Sequence, residues 1–431
     1  MDGSGHGAQA AISGPVDADV TALRRVLGPE VATPLPKAPG QHRSEPPEAT
    51  LARLLPRLAD FGITRVARVT GFDRACVEVF TVVRPDARAL SVANGKGLDR
   101  TAAKVSGIME AIERWHAERP LLPLRFGTAA DVAVLGAPPR PDIPLARPHP
   151  PAEPILWAPA LDLATGAAAL VPFDAVDTCW LASRPASPFF ASTNGLASGS
   201  HPVEAALHGL CELVEHDATA LFERLPPEAR AARRIDPAAI AGPGADPGAD
   251  PGVAALLAGL AARGFAVALW ETTTDVAIPA FACALVDEEA PRSPAGFGAG
   301  CHPDAATAAA RAITEAAQTR LIAMTGTRDD LDPALFGGGV ALRFRWALRD
   351  TGGPAPRPWP RATASADIRA DLAAAVAAVA RAGAGPVLAV DLSREPGLAV
   401  VRVLVPGLEP GGPGDGVLPG PRAARAAAHL A

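Results

Sequence analysis

The sequence has no tyrosine, and phenylalanine and tryptophan alone supply an aromatic share of 4%. Its formal net charge is only -6 at pH 7, so it offers no general electrostatic reason to bind nucleic acid or an anionic membrane. No run of about 18 apolar residues is present, which argues against a membrane-spanning helix. With 48% apolar and 20% charged residues, the 431-residue chain is expected to fold around a large core.

Cysteine is also scarce, and its spacing excludes two common structural uses. The number is odd and no C-x-x-C pair occurs, so neither a disulfide framework nor a structural zinc site is expected. Cys211 and Cys301 are predicted to be packed thiols. Residues 1–31 contain no basic segment followed by an apolar one, so we expect a cytoplasmic protein rather than a secreted one. The five cysteines are Cys76, Cys179, Cys211, Cys283 and Cys301.

Proline and glycine are abundant, with 46 and 41 residues, and they divide the chain. Their clusters at 137–154, 242–252 and 352–360 predict surface connections. Between them the periodicity of apolar residues predicts a mixed α/β chain. Strands are predicted over 65–69, 77–83, 170–173, 266–271, 280–286, 387–391 and 399–405, and long helices over 100–118, 204–222 and 305–324.

Each long helix follows strand-like residues and a predicted glycine-containing turn, at 94–97, 194–199 and 298–300. This recurrence suggests three related structural units. Each helix also carries polar residues at positions i, i+4 and i+7, which lie on one helix face. The three stripes are Ser106, Glu110 and Glu113; His208, Glu212 and Glu215; and Arg311, Glu315 and Gln318.

The residues beside these stripes are largely apolar, which predicts helices that are substantially buried. A buried carboxylate is costly unless it is paired, protonated or bound to a cation. Mg²⁺ prefers carboxylate, water and phosphate oxygens, so the five glutamates are predicted to surround a Mg²⁺-nucleotide site. The alternative for any single helix is an ordinary surface ion pair, such as Glu212 with His216. His208 taken alone is more often a structural histidine than a ligand.

Familiar nucleotide signatures are missing, since neither a G-x-x-x-x-G-K-[ST] loop nor a strand-bound G-x-G-x-x-G is present. Residues 94–97 could offer backbone N–H groups and the Lys96 ammonium to a phosphate, although a tight turn with an exposed lysine is the plainer interpretation. Glu113 and His116 form an E-x-x-H element, which occurs in di-iron helix bundles. The second such element that those bundles require is absent.

Taken in order, these motifs resemble the YcaO superfamily of ATP-dependent enzymes that modify peptide backbones. The resemblance runs from about residue 41 to about residue 330. It is carried by Gly95-Lys96-Gly97, by Ser106-x-x-x-Glu110-x-x-Glu113-Arg114, by residues 192–199 leading into Glu212-x-x-Glu215, and by Glu315-Ala316-Ala317-Gln318-Thr319-Arg320.

The resemblance implies ATP and Mg²⁺ as cofactors and one large α/β domain of repeated βα units around the nucleotide. It implies domain bounds of 41–431, with a motif-bearing core over 60–330, a C-terminal part over 331–431 and a flexible extension over 1–40. His216 stands where the family usually carries arginine. The residues implied for metal are Glu110, Glu113, Glu212, Glu215 and Glu315, and those implied for nucleotide are Lys96, Ser106, Arg114, Asn194, Gln318 and Arg320.

Further motifs are similar to the branch of the family that occurs with a TfuA partner, which is associated with thioamide formation in ribosomally made peptides. The Pro-x-Pro-x-Pro terminus typical of azoline-forming cyclodehydratases is absent. Thioamide formation with a TfuA-like protein and a substrate peptide is therefore the leading expectation, and a homodimer is compatible with it. An azoline-forming cyclodehydratase and a non-catalytic ATP-binding scaffold are the alternatives. The branch motifs lie at 41–43, 63–66, 70–73, 115–119, 300–303 and 328–330.

Overall fold

The computed structural model describes residues 15–140, 142–148, 153–181, 187–236, 240, 250–290, 293–326, 359, 364–412 and 416–428. Most of the predicted connections at 242–252 and 352–360 lie outside the described residues, as does the motif at 328–330. The helices are α1 (Val16–Asp19), α2 (Thr21–Leu27), α3 (Pro47–Leu54), α4 (Arg100–Ala117), α5 (Ala129–Ala133), α6 (Pro202–Glu223), α7 (Pro227–Ala231), α8 (Pro251–Ala261), α9 (Ala305–Thr325), α10 (Ile368–Arg381) and α11 (Pro421–Ala428).

The strands form three antiparallel sheets in the described part of the chain, with the orders β1-β2-β3, β11-β10-β9-β8 and β4-β5-β12-β13-β7, and β6 also pairs with β5. The predicted strands and long helices are confirmed, with their ends displaced by about one or two residues. The strands are β1 (Arg65–Arg68), β2 (Glu78–Val83), β3 (Val92–Gly97), β4 (Arg125–Gly127), β5 (Ile155–Asp162), β6 (Ala168–Pro172), β7 (Leu196–Gly199), β8 (Arg234–Ile235), β9 (Phe265–Glu271), β10 (Ala280–Asp287), β11 (Gly296–Cys301), β12 (Leu388–Asp391) and β13 (Ala399–Leu404).

Three strand–helix units organise the molecule, as the recurrence in the sequence indicated. Strand β3 leads into α4, β7 into α6 and β11 into α9, and each helix packs on its own strand. The side chains of Asp99, His201 and Asp304 cap the three helices by accepting backbone N–H groups in the first turn. The caps therefore mark where each helix begins, a few residues after the end of its strand.

The predicted glycine-containing turns at 94–97 and 298–300 are wrong, because these residues lie in strands, whereas in the second unit Asn194 and Gly195 do form a turn before β7. Residues 94–97 are the end of β3, residues 196–199 form β7, and residues 298–300 lie within β11. The glycines serve the packing of each helix on its strand. A Cβ atom built on Gly95 would lie 2.0 Å from the backbone nitrogen of Gly107, and one on Gly300 would lie 2.0 Å from the carbonyl oxygen of Ala308.

Substitution of Gly298 by alanine is expected to destabilise the fold by about 3 kcal/mol or more, at the upper end of the usual cost of overpacking. The added Cβ would lie 2.3 Å from the backbone nitrogen of Ala316 and 2.4 Å from the carbonyl oxygen of Ala312, and backbone atoms move less easily than a flexible side chain. Chemical denaturation measures the effect. Gly71→Ala is the control, because no atom lies within 4 Å of its built Cβ. Equal stability of the two variants would show that α9 does not lie this close to β11.

The expectation of a flexible extension over residues 1–40 does not hold for the described residues 15–40. Val16, Val20, Leu23 and Leu27 are buried in the core formed with α6 and α10. Burial of four such side chains favours ordered packing over solvation of this segment. At the other end, β12 and β13 complete the sheet that holds β7, with Ala399 opposite Gly199, so the C-terminal part is joined to the motif-bearing core.

Candidate functional site

The three polar stripes lie near one another because each long helix contacts the strand of the next unit as well as its own strand. Helix α4 also contacts β7 of the second unit, α6 contacts β11 of the third, and α9 returns to contact β3 of the first. The face of each helix that carries the stripe is thus directed toward the strand of the next unit. This cyclic arrangement turns three stripes that are distant in sequence into one site.

One glutamate from each helix bonds to the strand of the next unit. The Glu113 carboxylate accepts hydrogen bonds from the backbone N–H and hydroxyl of Ser198, at 2.9 and 2.6 Å. The Glu215 carboxylate accepts from the backbone N–H of Cys301 at 2.9 Å. The Lys96 ammonium donates to Glu315 at 2.5 Å. Three of the five predicted metal-binding glutamates are therefore held by the strand of the next unit, Glu113 and Glu215 at the third position of their stripes and Glu315 at the second position of its stripe.

The electrostatics show that these carboxylates are crowded. Desolvation raises the pKa of Glu113 to about 8 despite its bonds to Ser198, and the charges of Glu110 and Glu212 add to the rise. Desolvation likewise raises the pKa of Glu215 to about 7, with a contribution from Glu315. Desolvation acts to raise the pKa of Glu315, but the Lys96 ammonium outweighs it, so the pKa of Glu315 is lowered. The glutamates thus interact in two groups, Glu113 with Glu110 and Glu212, and Glu215 with Glu315, and His216 lies close enough to feel the charges of Glu212, Glu215 and Glu315.

The donor set fits a hard cation. Carboxylate and hydroxyl oxygens line this part of the site, and they are the oxygen ligands that Mg²⁺ accepts together with water and phosphate. A divalent cation among the glutamates would favour their charged forms and relieve the repulsion that raises their pKa values.

The family model described as "YcaO cyclodehydratase, ATP- and Mg2+-binding" matches residues 94–409. The chain belongs to the YcaO family. A protein of the tfuA 3′ region of Rhizobium leguminosarum bv. trifolii is 39% identical over 303 residues, which are 68% of this chain and 70% of that protein. A protein of Methanothermobacter thermautotrophicus is 34% identical over 380 residues, which are 84% of this chain and 94% of that protein.

Solved structures share the YcaO fold with this chain. YcaO from Methanopyrus kandleri bound with AMPPCP and Mg²⁺ superposes with a TM-score of 0.67 and 23% identity, covering 90% of this chain and 94% of that one. A heterocyclase in complex with substrate and cofactor superposes with a TM-score of 0.72 and 23% identity, covering 90% of this chain. The chain spans 55% of that heterocyclase, about half its length. ATP and Mg²⁺, the expected cofactors, are those of the family.

Several residues implied for nucleotide in this YcaO domain lie at or beside the ring. The Gln318 amide donates to the backbone oxygen of Asn94 at 2.7 Å. The Arg114 guanidinium pairs with Glu110 and donates to the backbone oxygen of Val92 at 2.8 Å. Ser106 lies one turn before Glu110 on α4. Arg114 thus contacts a predicted metal ligand directly, whereas Gln318 is bonded to β3 and Ser106 shares a helix face with Glu110.

Two further positions lie close to the second unit. Asn194 precedes β7, and its amide donates to the backbone oxygen of Pro410 at 2.7 Å. His216 lies 3.8 Å from the Glu212 carboxylate. Desolvation acts to lower the pKa of His216, but the nearby carboxylates of Glu212, Glu215 and Glu315 outweigh it, so the pKa of His216 is raised. The imidazole thus places a basic side chain beside Glu212, where the family usually has arginine.

Arg320 does not join the ring, contrary to what the motif implied. Its guanidinium is buried and bonds to Asp73 at 3.0 Å, to Asp287 at 3.1 Å and to the hydroxyl of Ser293 at 2.8 Å. It also lies over the ring of Phe265. Arg320 connects α9 to two neighbouring segments, and its donors are occupied there.

The histidine of the E-x-x-H element is buried in the core, where it packs against aromatic side chains. The His116 ring bonds through Nδ1 to the backbone oxygen of Ile112 at 2.8 Å and packs against Phe61 and Trp115. Burial lowers the pKa of His116 to about 4.

The thiols of Cys211 and Cys301 are buried as predicted. No helix in the described ranges is long and apolar enough to cross a membrane.

Sequence reasoning missed two cationic residues beside the ring. Arg43 pairs with Glu204 at 3.0 Å, and the sequence marks it only as part of the branch motif at 41–43. Arg402 on β13 is buried and donates to the backbone oxygen of Ser192 at 2.8 Å, and burial lowers its pKa to about 10. Nothing in the local sequence around Arg402 signals this position, since it is one polar residue in an apolar strand.

Raised glutamate pKa values predict that Mg²⁺-ATP binding strengthens between about pH 6 and pH 8.5. Glu113 and Glu215, with pKa values of about 8 and 7, are largely protonated at the low end, and Mg²⁺ requires their charged forms. Because folding raises both pKa values from the usual value of 4.5, these groups make the metal-free protein less stable as pH rises from 4.5 to about 7 for Glu215 and about 8 for Glu113. Calorimetric titration at several pH values measures the affinity and the proton release. Affinity that is independent of pH would contradict this assignment.

Proposed function

We propose that this YcaO protein is an ATP- and Mg²⁺-dependent enzyme that replaces the oxygen of a peptide-backbone amide with sulfur, working with a TfuA-like partner on a ribosomally made peptide or protein. The observation that carries the catalytic part is the closed ring of five glutamates from three helices. The relative from the tfuA 3′ region supports the choice of thioamide formation. The branch motifs of the sequence support the same choice.

We assign the roles by position in the ring. Glu110, Glu113, Glu212, Glu215 and Glu315 would hold Mg²⁺. Residues that donate hydrogen bonds around them would bind the nucleotide, namely Lys96, Ser106, Arg114, Asn194 and Gln318. Arg320 is left out of this set because its guanidinium is engaged by Asp73 and Asp287.

This arrangement suits activation of an amide without a nucleophile from the protein. An amide oxygen is a very poor leaving group. When a sulfide-equivalent donor adds to the carbonyl carbon, the resulting alkoxide can take the γ-phosphoryl group of ATP, with release of ADP. The C–O bond then breaks with phosphate as the leaving group, the sulfur gives up its proton or the group that carried it, and a C=S bond is left in the thioamide. Bound Mg²⁺ supplies neutralisation of the phosphate charge.

Side chains of this protein would hold the metal-binding carboxylates in position and neutralise part of the phosphate charge. Lys96 lies beside Glu315 and can move to a phosphate oxygen when a metal takes over that carboxylate. The backbone and hydroxyl of Ser198 fix the Glu113 carboxylate in place, which reduces the reorganisation needed when a cation binds.

The test is reconstitution of the full chain with a TfuA-like protein, a candidate peptide, Mg²⁺-ATP and sulfide, followed by mass spectrometry of the peptide. We expect a mass gain that matches exchange of one oxygen for one sulfur, together with ADP formation. Loss of water at a Cys, Ser or Thr residue would instead support the azoline-forming alternative, which the description of the family model favours. ATP binding without ADP formation in the complete mixture would support the scaffold alternative, which His216 keeps open.

A further inference from the structure

A cavity apart from the carboxylate ring lies between the end of α6, the residues that follow β9, and α11. Its volume is about 310 Å³, and sites for small molecules commonly measure about 300–1,000 Å³. The cavity begins at Ala218, about one turn beyond Glu215 on α6. The residues predicted for metal and nucleotide, all of which the structure describes, lie outside its lining. The function proposed above therefore leaves this cavity without a role.

One wall of the cavity is apolar and fixed in place. Leu221 and Phe222 come from the last turn of α6, and Leu225 follows the end of that helix. Phe222 is buried and packs against Trp270 of β9. An apolar group that enters the cavity would be removed from water against this wall, which favours its binding.

The α11 side of the cavity carries two arginines that are neighbours on one helix face. Arg422 is buried, and its guanidinium is already engaged by Asp217 at 2.8 Å and by Asp275. Arg425 is exposed in the last turn of α11, and no hydrogen bond to it is seen among the described residues. Both arginines lower the pKa of Asp275, Arg422 more strongly, so the Arg425 guanidinium lies near the same mouth of the cavity. Arg425 is therefore a cation that a ligand can engage.

A buried hydroxyl completes the polar part of the lining. Thr272 is only 2% exposed, and its Oγ1 has no hydrogen-bond partner within the described ranges. Buried polar groups in folded proteins are nearly always hydrogen-bonded, because an unmet hydrogen bond away from water is unfavourable. A ligand oxygen that reaches Thr272 would accept this hydrogen bond.

The charges around the cavity indicate what kind of anion it accepts. The carboxylates of Asp217 and Asp275 offset Arg422, and Arg233 donates to the backbone oxygen of Thr273 at 3.1 Å. Asp275 would repel a group with several negative charges. A carboxylate carries a single charge, and its two oxygens match the planar fork of a guanidinium.

We propose that this cavity binds a carboxylic acid with a branched aliphatic body, with the carboxylate against Arg425 and Thr272 and the aliphatic body against the α6 wall. Two sources share this chemistry: the C-terminal residue of a peptide, and a free aliphatic acid. The inference rests on the cavity alone and is independent of the proposed function.

The test is a titration of the full chain with N-acetyl-L-leucine, followed by ligand-observed NMR. The parent is expected to bind this acid and to bind N-acetyl-L-leucinamide, which lacks the carboxylate, about tenfold more weakly or less. Arg425→Gln and Thr272→Val are each expected to weaken binding of the acid by about tenfold, since each removes a hydrogen bond to a charged group. Arg381→Gln is the matched control, because Arg381 is also an exposed arginine in the last turn of a helix.

A titration with 4-methylpentanoate distinguishes the two sources. This acid keeps the aliphatic body and the carboxylate but lacks the amide group of a peptide. Weaker binding than that of N-acetyl-L-leucine identifies a peptide C-terminus, and equal binding identifies a free aliphatic acid.

Three results would overturn the inference. The first is a parent that does not bind N-acetyl-L-leucine at millimolar concentration. The second is equal affinity of the parent and Arg425→Gln, both shown to be folded by thermal unfolding. The third is displacement of the probe by Mg²⁺-ATP, which would place the probe in the nucleotide site.

Discussion

Replacement of Arg320 by glutamine is expected to lower the free energy of unfolding by about 3–5 kcal/mol, the usual cost of removing one partner from a buried ion pair. The side chains of Arg320, Asp73 and Asp287 are each only 2% exposed. Asp287 keeps Arg74 as a second partner at 2.5 Å, whereas Asp73 would lose its buried cation. Chemical denaturation of the purified variant measures the change.

The control for this variant is Arg68→Gln, because the ion pair of Arg68 with Glu78 is exposed and such pairs contribute little to stability. Affinity for Mg²⁺-ATP, measured at a temperature where both variants are folded, should be close to that of the parent. If Arg320→Gln kept its stability and lost nucleotide binding, the nucleotide role implied by the sequence motif would be right and the structural role wrong.

Replacement of Glu212 by glutamine is expected to reduce ATP-dependent modification of the peptide by about 100-fold or more. Loss of a group that only supports a metal ligand commonly costs about 10–100-fold, and a ligand should cost at least as much. The substitution keeps the size of the side chain and removes its charge. ADP release and peptide mass, both followed over time in the reconstituted system, measure the effect.

A matched substitution at an exposed glutamate separates this effect from a general change of charge. Glu48 lies in the first turn of α3 and is exposed, so Glu48→Gln should leave the rate unchanged. Thermal unfolding of both variants checks that they are folded. A Glu212→Gln variant with the rate of the Glu48→Gln control would show that Glu212 is not part of the catalytic site.

The sequence predicts the long helices and their stripes well. Polar residues at i, i+4 and i+7 fall on one helix face, and the apolar residues beside them must be buried, which restricts the orientation of each helix. It fails at the glycines of residues 94–97 and 298–300. Glycine weakens a strand and favours a turn in isolation, and only the approach of α4 and α9 to the strands makes it necessary there. That approach is a property of the tertiary structure, which no local pattern contains.

The same limit applies to the site. The glutamates are marked by their spacing and by the cost of burying a carboxylate, whereas the sequence does not show which partners its arginines will have. Arg320 follows the third stripe closely in sequence, yet its guanidinium donates hydrogen bonds to Asp73 and Asp287 instead of facing the glutamates. Arg43 is distant in sequence from all three stripes, yet it reaches His208 and Glu204. Which arginine lies beside the glutamate-bearing helices therefore depends on the tertiary structure and not on its distance from the stripes in the sequence.

The most direct test of the carboxylate ring is the thermal midpoint of the purified protein with and without Mg²⁺-ATP, repeated for Glu110→Gln and Glu212→Gln. A ligand that binds only the folded state stabilises it by mass action, by about 2.7 kcal/mol at a concentration 100 times its dissociation constant. The ring predicts a rise in the midpoint that requires both Mg²⁺ and ATP in the parent and is lost in both variants. A rise of equal size in the parent and both variants would contradict a site built from these glutamates.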